Sequence, residues 1–268
     1  MPHLSIGRIG FGAMQLPTSP AADRASSITV LRRAAELGVP LIDTAYLYGG
    51  GANEELLAEA LHPYPENLVV TTKVGVAGSG PPGDWRLDGR PASLRTQVEG
   101  CLRRLRVDRI ELLQLHRVDP EVPLADQVGT LRDLLAAGAI GAIGLSEVTV
   151  DQLAEARAIV GIASVQNRYN LLDRGHEPVL RACERAGVAF LPWRPIATGA
   201  PEAAAVAAET GATPTQVALA WLLARSPVML PIPGTSSVAH LEENVAAGQI
   251  ALTGAQRARL DAAVPTAP

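Results

Sequence analysis

"NLVVTTKVGV", residues 67–76, is a run of valines and threonines that contains Lys73, the single lysine of the chain; the other basic residues, of 23 in all, are arginines. A short β-branched run of this kind reads as a buried strand, a place where an ammonium group is expensive unless it is paired. The run is followed by an amphipathic stretch, "SLRTQVEGCLRRLRV" (93–107), and then by a second apolar run, "RIELLQLH" (109–116). Strand, helix and strand in that order make a βαβ unit, whose strands lie parallel.

The same unit repeats in both directions. Strands are predicted at "IGRIGFG" (6–12), "VPLIDT" (39–44), "AIGAIGLS" (139–146), "IASVQ" (162–166), "VAFLPW" (188–193) and "VMLPI" (228–232). Helices are predicted over 23–38, 53–62, 124–138, 149–160, 176–187, 213–226 and 237–248. Several ends are marked. Thr213, Pro214 and Gln216 supply an N-cap, a first-turn proline and a capping-box partner, while Gly38, Gly138 and Gly187 each close a helix just before a strand. Eight strands and eight helices in strict alternation, without a linker or compositional break, predict one α/β domain over residues 1–268, a (β/α)8 TIM barrel.

Composition narrows the function. The chain has 268 residues, 47% hydrophobic, and a net charge of −4. Its arginines are scattered and form no basic stripe, which argues against nucleic acid. No apolar run has the length of a membrane span, and the start "MPHLSIGRIG" is not a signal peptide, so a cytoplasmic protein is expected. Cys101 and Cys183 lie in helical segments without a CxxC pair and read as packed thiols. Five dispersed histidines give no metal-ligand spacing. No interface stripe is evident, and the default is a monomer.

In a barrel of this kind functional groups collect at the carboxyl ends of the strands. Asp43, Lys73 and His116 end consecutive strands. If Lys73 points inward, so do Val69 and Thr71, while Leu68, Val70 and Val74 face the helices. Neighbouring strands lie about 4.8 Å apart, so Lys73 stands between Asp43 and His116, with Tyr48 in the loop beyond Asp43. A cationic lysine is expected to lower the pKa of a nearby phenol and make it a usable proton donor. Asp43 would keep the lysine charged, and His116 would orient a carbonyl oxygen or help carry the proton. An acid that protonates such an oxygen needs a partner to attack the carbon, and a hydride-donating cofactor is the natural complement. Tyr46 is a rival for the phenol role that spacing does not separate from Tyr48. Two other readings stand beside this one: a lyase with Lys73 as Schiff-base nucleophile, and a non-catalytic barrel that binds cofactor and regulates a partner.

The segments "LIDTAYLYGGGANEELLAEAL", "VVTTKVG", "LLQLHRVD", "AIGLSEVT", "SVQNRYNLL" and "PIPGTSSVAHLEENVAA" together resemble the aldo-keto reductase superfamily over nearly the whole chain, most closely bacterial members near the pyridoxal reductases. The resemblance implies an NADPH-dependent reductase of small aldehydes or ketones, with NADH as the alternative. It implies that Asp43, Tyr48, Lys73 and His116 form a catalytic tetrad with Tyr48 as the acid. It also implies that Ser146 and Gln166 hold the nicotinamide carboxamide and that Trp193 stacks on the ring. Gly12, Ala13 and Met14 would line the mouth, and Gly234, Thr235, Ser236 and Ser237 would open a helix suited to phosphate. Arg194 would approach the pyrophosphate, and Glu243 and Asn244 the adenine. Three positions depart from the common pattern. Glu147 stands where many members have asparagine, and Gly234 and His240 where many NADPH-specific members have lysine and arginine.

The short loop after His116 and the end at Pro268 predict an open site for varied carbonyl substrates. Met14, Tyr48, Trp85 and His116 are the expected substrate contacts. "GSGPPG" (78–83) fits a dinucleotide fingerprint only in letters, because its prolines remove backbone donors and no helix follows. Trp85, in the same long loop, either covers the substrate or anchors the loop.

Overall fold

A computed structural model describes residues 8–78, 85–197 and 199–263. The chain alternates as predicted through β1 (Phe11–Gly12), α1 (Ala21–Glu36), β2 (Leu41–Asp43), α2 (Ala52–Leu61) and β3 (Val69–Val74). A small hairpin, β4 (Val76–Ala77) and β5 (Arg86–Leu87), precedes α3 (Pro91–Leu105). Then come β6 (Leu112–Leu115), α4 (Leu124–Ala136), β7 (Ile143–Ser146), α5 (Val150–Ile159), β8 (Ser164–Gln166), α6 (Glu177–Ala186) and β9 (Ala189–Phe190). The remainder is helical: α7 (Pro201–Thr210), α8 (Pro214–Arg225), α9 (Val238–Ala246) and α10 (Gly254–Ala262). Seven strands form one parallel sheet in the order β1-β2-β3-β6-β7-β8-β9.

The eighth run closes this sheet into a barrel without forming a regular ladder. On one side Phe190 N donates to Val228 O and Leu230 N to Phe190 O, each at 2.8 Å. On the other, Gly10 N donates to Pro231 O at 2.8 Å and Gly12 N to Pro233 O at 3.1 Å. A residue's N–H and C=O leave a strand on the same side, so Pro231 and Pro233 remove the two donors that would have faced β1.

Strand parity is as the sequence indicates. Leu41, Leu112, Leu191, Leu230 and Ile232 pack inside the barrel with Val69 against them. Leu68 and Val74 belong to the larger outer core between sheet and helices, and Val70 packs against it. Thr72, also outward, donates from Oγ1 to Glu54 Oε1 of α2 at 2.5 Å. Two expectations are corrected. The described residues contain ten α-helices rather than eight, because α7 and α10 fall outside the alternation, and the loop after β3 contains a hairpin. Cys101 and Cys183 are buried, free thiols. Among the described residues no helix is long and apolar enough to cross a membrane. Most of "GSGPPG" lies outside the described residues.

Candidate active site

The carboxyl ends of β2, β3 and β6 carry the charged core of the molecule. Lys73 is 1% exposed, yet all three of its ammonium protons have acceptors. Nζ donates to Asp43 Oδ2 at 2.6 Å, to Thr44 O at 2.8 Å and to Tyr48 Oη at 3.2 Å. Three donors are the full complement of an ammonium. Asp43 is held from its other side as well, because Oδ1 accepts from Gln114 Nε2 at 3.0 Å and Gln166 Nε2 at 2.8 Å. Gln114 Nε2 also donates to Thr71 Oγ1 at 2.9 Å. A layer of polar side chains therefore sits directly above the leucine layer of the barrel.

Backbone geometry delivers Tyr48 to this layer. Gly49, Gly50 and Gly51 follow it with φ of 59°, 63° and 101°, a left-handed run that only glycine enters without strain. A Cβ on Gly51 would lie 2.6 Å from Arg104 Nε. Tyr46 is carried elsewhere: its ring lies 4.7 Å from the Arg104 guanidinium carbon, against α3. The geometry thus separates two tyrosines that the sequence leaves equivalent.

The phenol corrects one expectation. Burial pushes the Tyr48 pKa up, Lys73 pulls it down, and the Asp43 charge pushes it up again; the net direction is up. Lys73 is the main lowering influence, through its charge and its hydrogen bond, but burial of the phenol together with the Asp43 charge outweighs it. Tyr48 is accordingly a protonated phenol at neutral pH. Burial on its own would lower Lys73, but Asp43 and then Tyr48 raise it, so the ammonium stays charged. His116 meets the Tyr48 ring edge-on at 5.9 Å. Its pKa is held well below the ordinary value, by burial first and then by Lys73 and Arg117, and its buried Nδ1 has no partner. It is a neutral imidazole at neutral pH.

The other expected residues fall around this centre in varied roles. Ser146, the last residue of β7, accepts at Oγ from Arg117 Nη1 at 3.1 Å. Gln166 Nε2 is engaged with Asp43 and with Gln114 Oε1. Glu147, with φ of 54°, reaches across β8: Oε1 accepts from Trp193 Nε1 at 2.6 Å and from Arg168 N at 2.7 Å. The indole is thereby fixed at the barrel mouth, flanked by the guanidinium of Arg194 at 5.6 Å. Met14 and Trp85 are exposed on the connections that follow β1 and β3. Ala13 is buried and its carbonyl accepts from Asn53 Nδ2 at 2.9 Å. Glu243 accepts at Oε1 from Thr213 Oγ1 at 2.5 Å, tying α9 to the start of α8, and Asn244 is buried.

The start of α9 has the chemistry to hold a phosphate. Ser237 caps the helix by accepting from His240 N at 3.4 Å, Thr235 Oγ1 accepts from Ser237 N at 3.1 Å, and no acidic side chain lies in the first turn. Hydroxyls and free first-turn donors without a competing carboxylate suit a phosphate. Gly234 has a packing reason to lack a side chain, since a Cβ there would stand 2.8 Å from Gly12 O. Gly234→Ala is expected to lower stability by about 1–3 kcal/mol through this overlap, read as a lower midpoint in urea unfolding. An unchanged midpoint would mean that the two backbones separate easily.

Arg117 and Gln114 were not singled out from sequence. Gln114 had a signal, since it shares the inward parity of Leu112 and His116, and a polar side chain in that row needs partners. Arg117 had none beyond its place next to His116.

Comparison with known proteins finds relatives over nearly the whole chain. The model of the aldo/keto reductase family matches residues 8–204 and 200–265. An uncharacterized oxidoreductase of Schizosaccharomyces pombe is 45% identical over 265 residues, covering 96% of this chain and 86% of its own. Pyridoxine 4-dehydrogenase of Escherichia coli is 41% identical over 271 residues, covering 96% of this chain and 94% of its own. Among solved structures, an aldo/keto reductase from Klebsiella pneumoniae in complex with NADP and acetate superposes with a TM-score of 0.83. It is 28% identical and covers 97% of this chain and 93% of its own.

Proposed function

This chain belongs to the aldo/keto reductase family of oxidoreductases, and on that premise we propose that it reduces an aldehyde or ketone with Tyr48 as the general acid. The observation that carries the proposal is the contact of Lys73 Nζ with Tyr48 Oη at 3.2 Å, backed by Asp43 at 2.6 Å. A reduced nicotinamide, when bound, supplies the hydride to the carbonyl carbon. Tyr48 gives its proton to the carbonyl oxygen as charge develops there. Lys73, fixed and charged, stabilises the phenolate left behind. His116 is neutral and lies edge-on against the Tyr48 ring, where its imidazole can orient the oxygen. Trp193, held by Glu147, offers a flat face for the nicotinamide, and Ser146 a polar edge for its carboxamide.

NADPH is the preferred cofactor in this reading, supported by the NADP bound to the Klebsiella pneumoniae relative. NADH is the alternative, because Gly234 and His240 give the chain no strong cationic clamp for a 2′-phosphate. The Schiff-base reading finds no support in the geometry. A nucleophilic lysine needs a free amine, whereas the Lys73 ammonium is raised in pKa and donates to three acceptors.

The test is loss of reduced-nicotinamide absorbance with NADPH and NADH in parallel, against aromatic, aliphatic and pyridoxal-type aldehydes. Turnover with any of them supports the reading, and silence with both cofactors bound would reject it. A pH profile is also expected. The raised Tyr48 phenol keeps its proton through neutral pH, so reduction should stay level there and fall only as pH rises through the phenol pKa, above the ordinary value of about 10. Alcohol oxidation, which needs the phenolate as base, should rise over the same alkaline range. A fall in reduction between about pH 6 and 8, where an ordinary histidine titrates, would move the acid role away from Tyr48.

A further inference from the structure

Arg117 acts on the proposed proton donor, and among the described residues no carboxylate forms an ion pair with it. Its Nη1 donates to two neutral acceptors, His116 O at 2.6 Å and Ser146 Oγ at 3.1 Å. Glu147 acts on it only from further off, and that carboxylate is already bound by Trp193 and the Arg168 amide. Arg117 is nevertheless half-buried, and its charge is felt by both the Tyr48 phenol and the His116 ring.

The bland reading makes Arg117 a strut between the end of β6 and Ser146. A strut of that kind needs only a neutral donor, and two hydrogen bonds from one nitrogen leave most of the guanidinium fork unused. A half-buried cation without a counter-charge is stabilised when an anion arrives, and guanidinium binds carboxylate or phosphate through two parallel bonds. The same end of the barrel also carries exposed apolar side chains: Met14 after β1, Leu87 on β5 and Leu172 after β8.

We propose that Arg117 is a specificity residue that recognises an anionic group, carboxylate or phosphate, on an aldehyde or ketone with an aromatic or otherwise apolar body. This rests on the carbonyl-reduction reading of Tyr48, and it names the substrate class of that site.

The experiment compares benzaldehyde with para-carboxybenzaldehyde and para-formylphenyl phosphate, in wild type, Arg117→Gln and Arg117→Lys. Wild type should favour at least one anionic aldehyde in kcat/KM, and the favoured one identifies the anion. In Arg117→Gln the ratio of anionic to neutral kcat/KM should fall about tenfold to a hundredfold, the scale of a lost charge-assisted hydrogen bond, chiefly through KM. Arg117→Lys should keep part of that ratio, since it keeps the charge but not the fork. A strut would lower both substrates together and leave the ratio unchanged, which overturns the proposal, as does a wild type with no anionic preference. Calorimetric binding of benzoate against benzamide to the NADP-loaded protein gives a second readout. Benzoate binding that is lost in Arg117→Gln, without turnover of any aldehyde, would uphold the anion site and reject carbonyl reduction. Equal affinity for benzoate in both proteins would reject the anion site.

Discussion

Replacing Tyr48 by phenylalanine should lower the rate of carbonyl reduction by at least about a hundredfold, and up to ten-thousandfold, the range ascribed to a positioned general acid. Cofactor affinity should stay close to wild type. The substitution removes a single oxygen. The ring that meets His116 edge-on at 5.9 Å remains, as does its face beneath the Lys73 ammonium at 4.9 Å. Lys73 keeps its two shorter bonds, to Asp43 and to Thr44 O. The loss should therefore appear in kcat, with little change in the dissociation constant of the reduced nicotinamide measured by fluorescence. Tyr46→Phe is the matched control, because that ring packs on Arg104 and its removal of a hydroxyl should leave turnover near wild type. If Tyr48→Phe keeps wild-type kcat, the acid is another group and the reading built on the Lys73–Tyr48 contact fails.

The parts of this site that sequence made legible are those whose chemistry contradicts their surroundings. A lysine in a valine-threonine run and a histidine ending "ELLQLH" announce themselves, because burial of either needs a reason. The alternation of runs indicates the barrel, and strand parity alone places Val69, Thr71 and Lys73 on the inner face. What remained hidden depends on contacts between distant strands. Nothing in the spacing of Gln114 and Gln166 indicates that both amides converge on Asp43 Oδ1, 71 and 123 residues away. Nor does it indicate that Glu147 fixes Trp193. The direction of the Tyr48 shift was missed for a related reason: the lysine charge and its aspartate partner were legible, whereas the burial of the phenol, the largest cause of the shift, is a three-dimensional fact.

The secondary-structure errors divide differently. Residues 253–256 repeat the Thr-x-x-Gln capping box of 213–216, so α10 had a usable start signal. The alanine-rich α7 has Ala200 at its N-cap and no side-chain cap, so it lacked the capping-box start that marks α8. The hairpin after β3 has only two residues in each strand, too few for an alternation to register.

Lys73→Met should cost about 3–5 kcal/mol of stability, the scale for breaking one side of a buried ion pair, besides abolishing turnover. Methionine has a similar reach but donates nothing. Asp43, 4% exposed, would keep the two glutamine amides on Oδ1 while Oδ2 and Thr44 O lost their Lys73 donor. Stripped of its cation, the buried carboxylate would be an unpaired charge in the folded protein, and urea unfolding should read the deficit as a lower midpoint. Adding Asp43→Asn removes the orphaned charge, and the double variant should regain most of the lost stability while remaining inactive. A Lys73→Met protein as stable as wild type at neutral pH would show that the pair contributes little to folding. A double variant no more stable than the single one would show that the Asp43 charge is not the source of the penalty. Recovery of stability without recovery of turnover would separate the two demands on this lysine: it offsets a charge the fold has buried, and it holds the phenol in place for proton transfer.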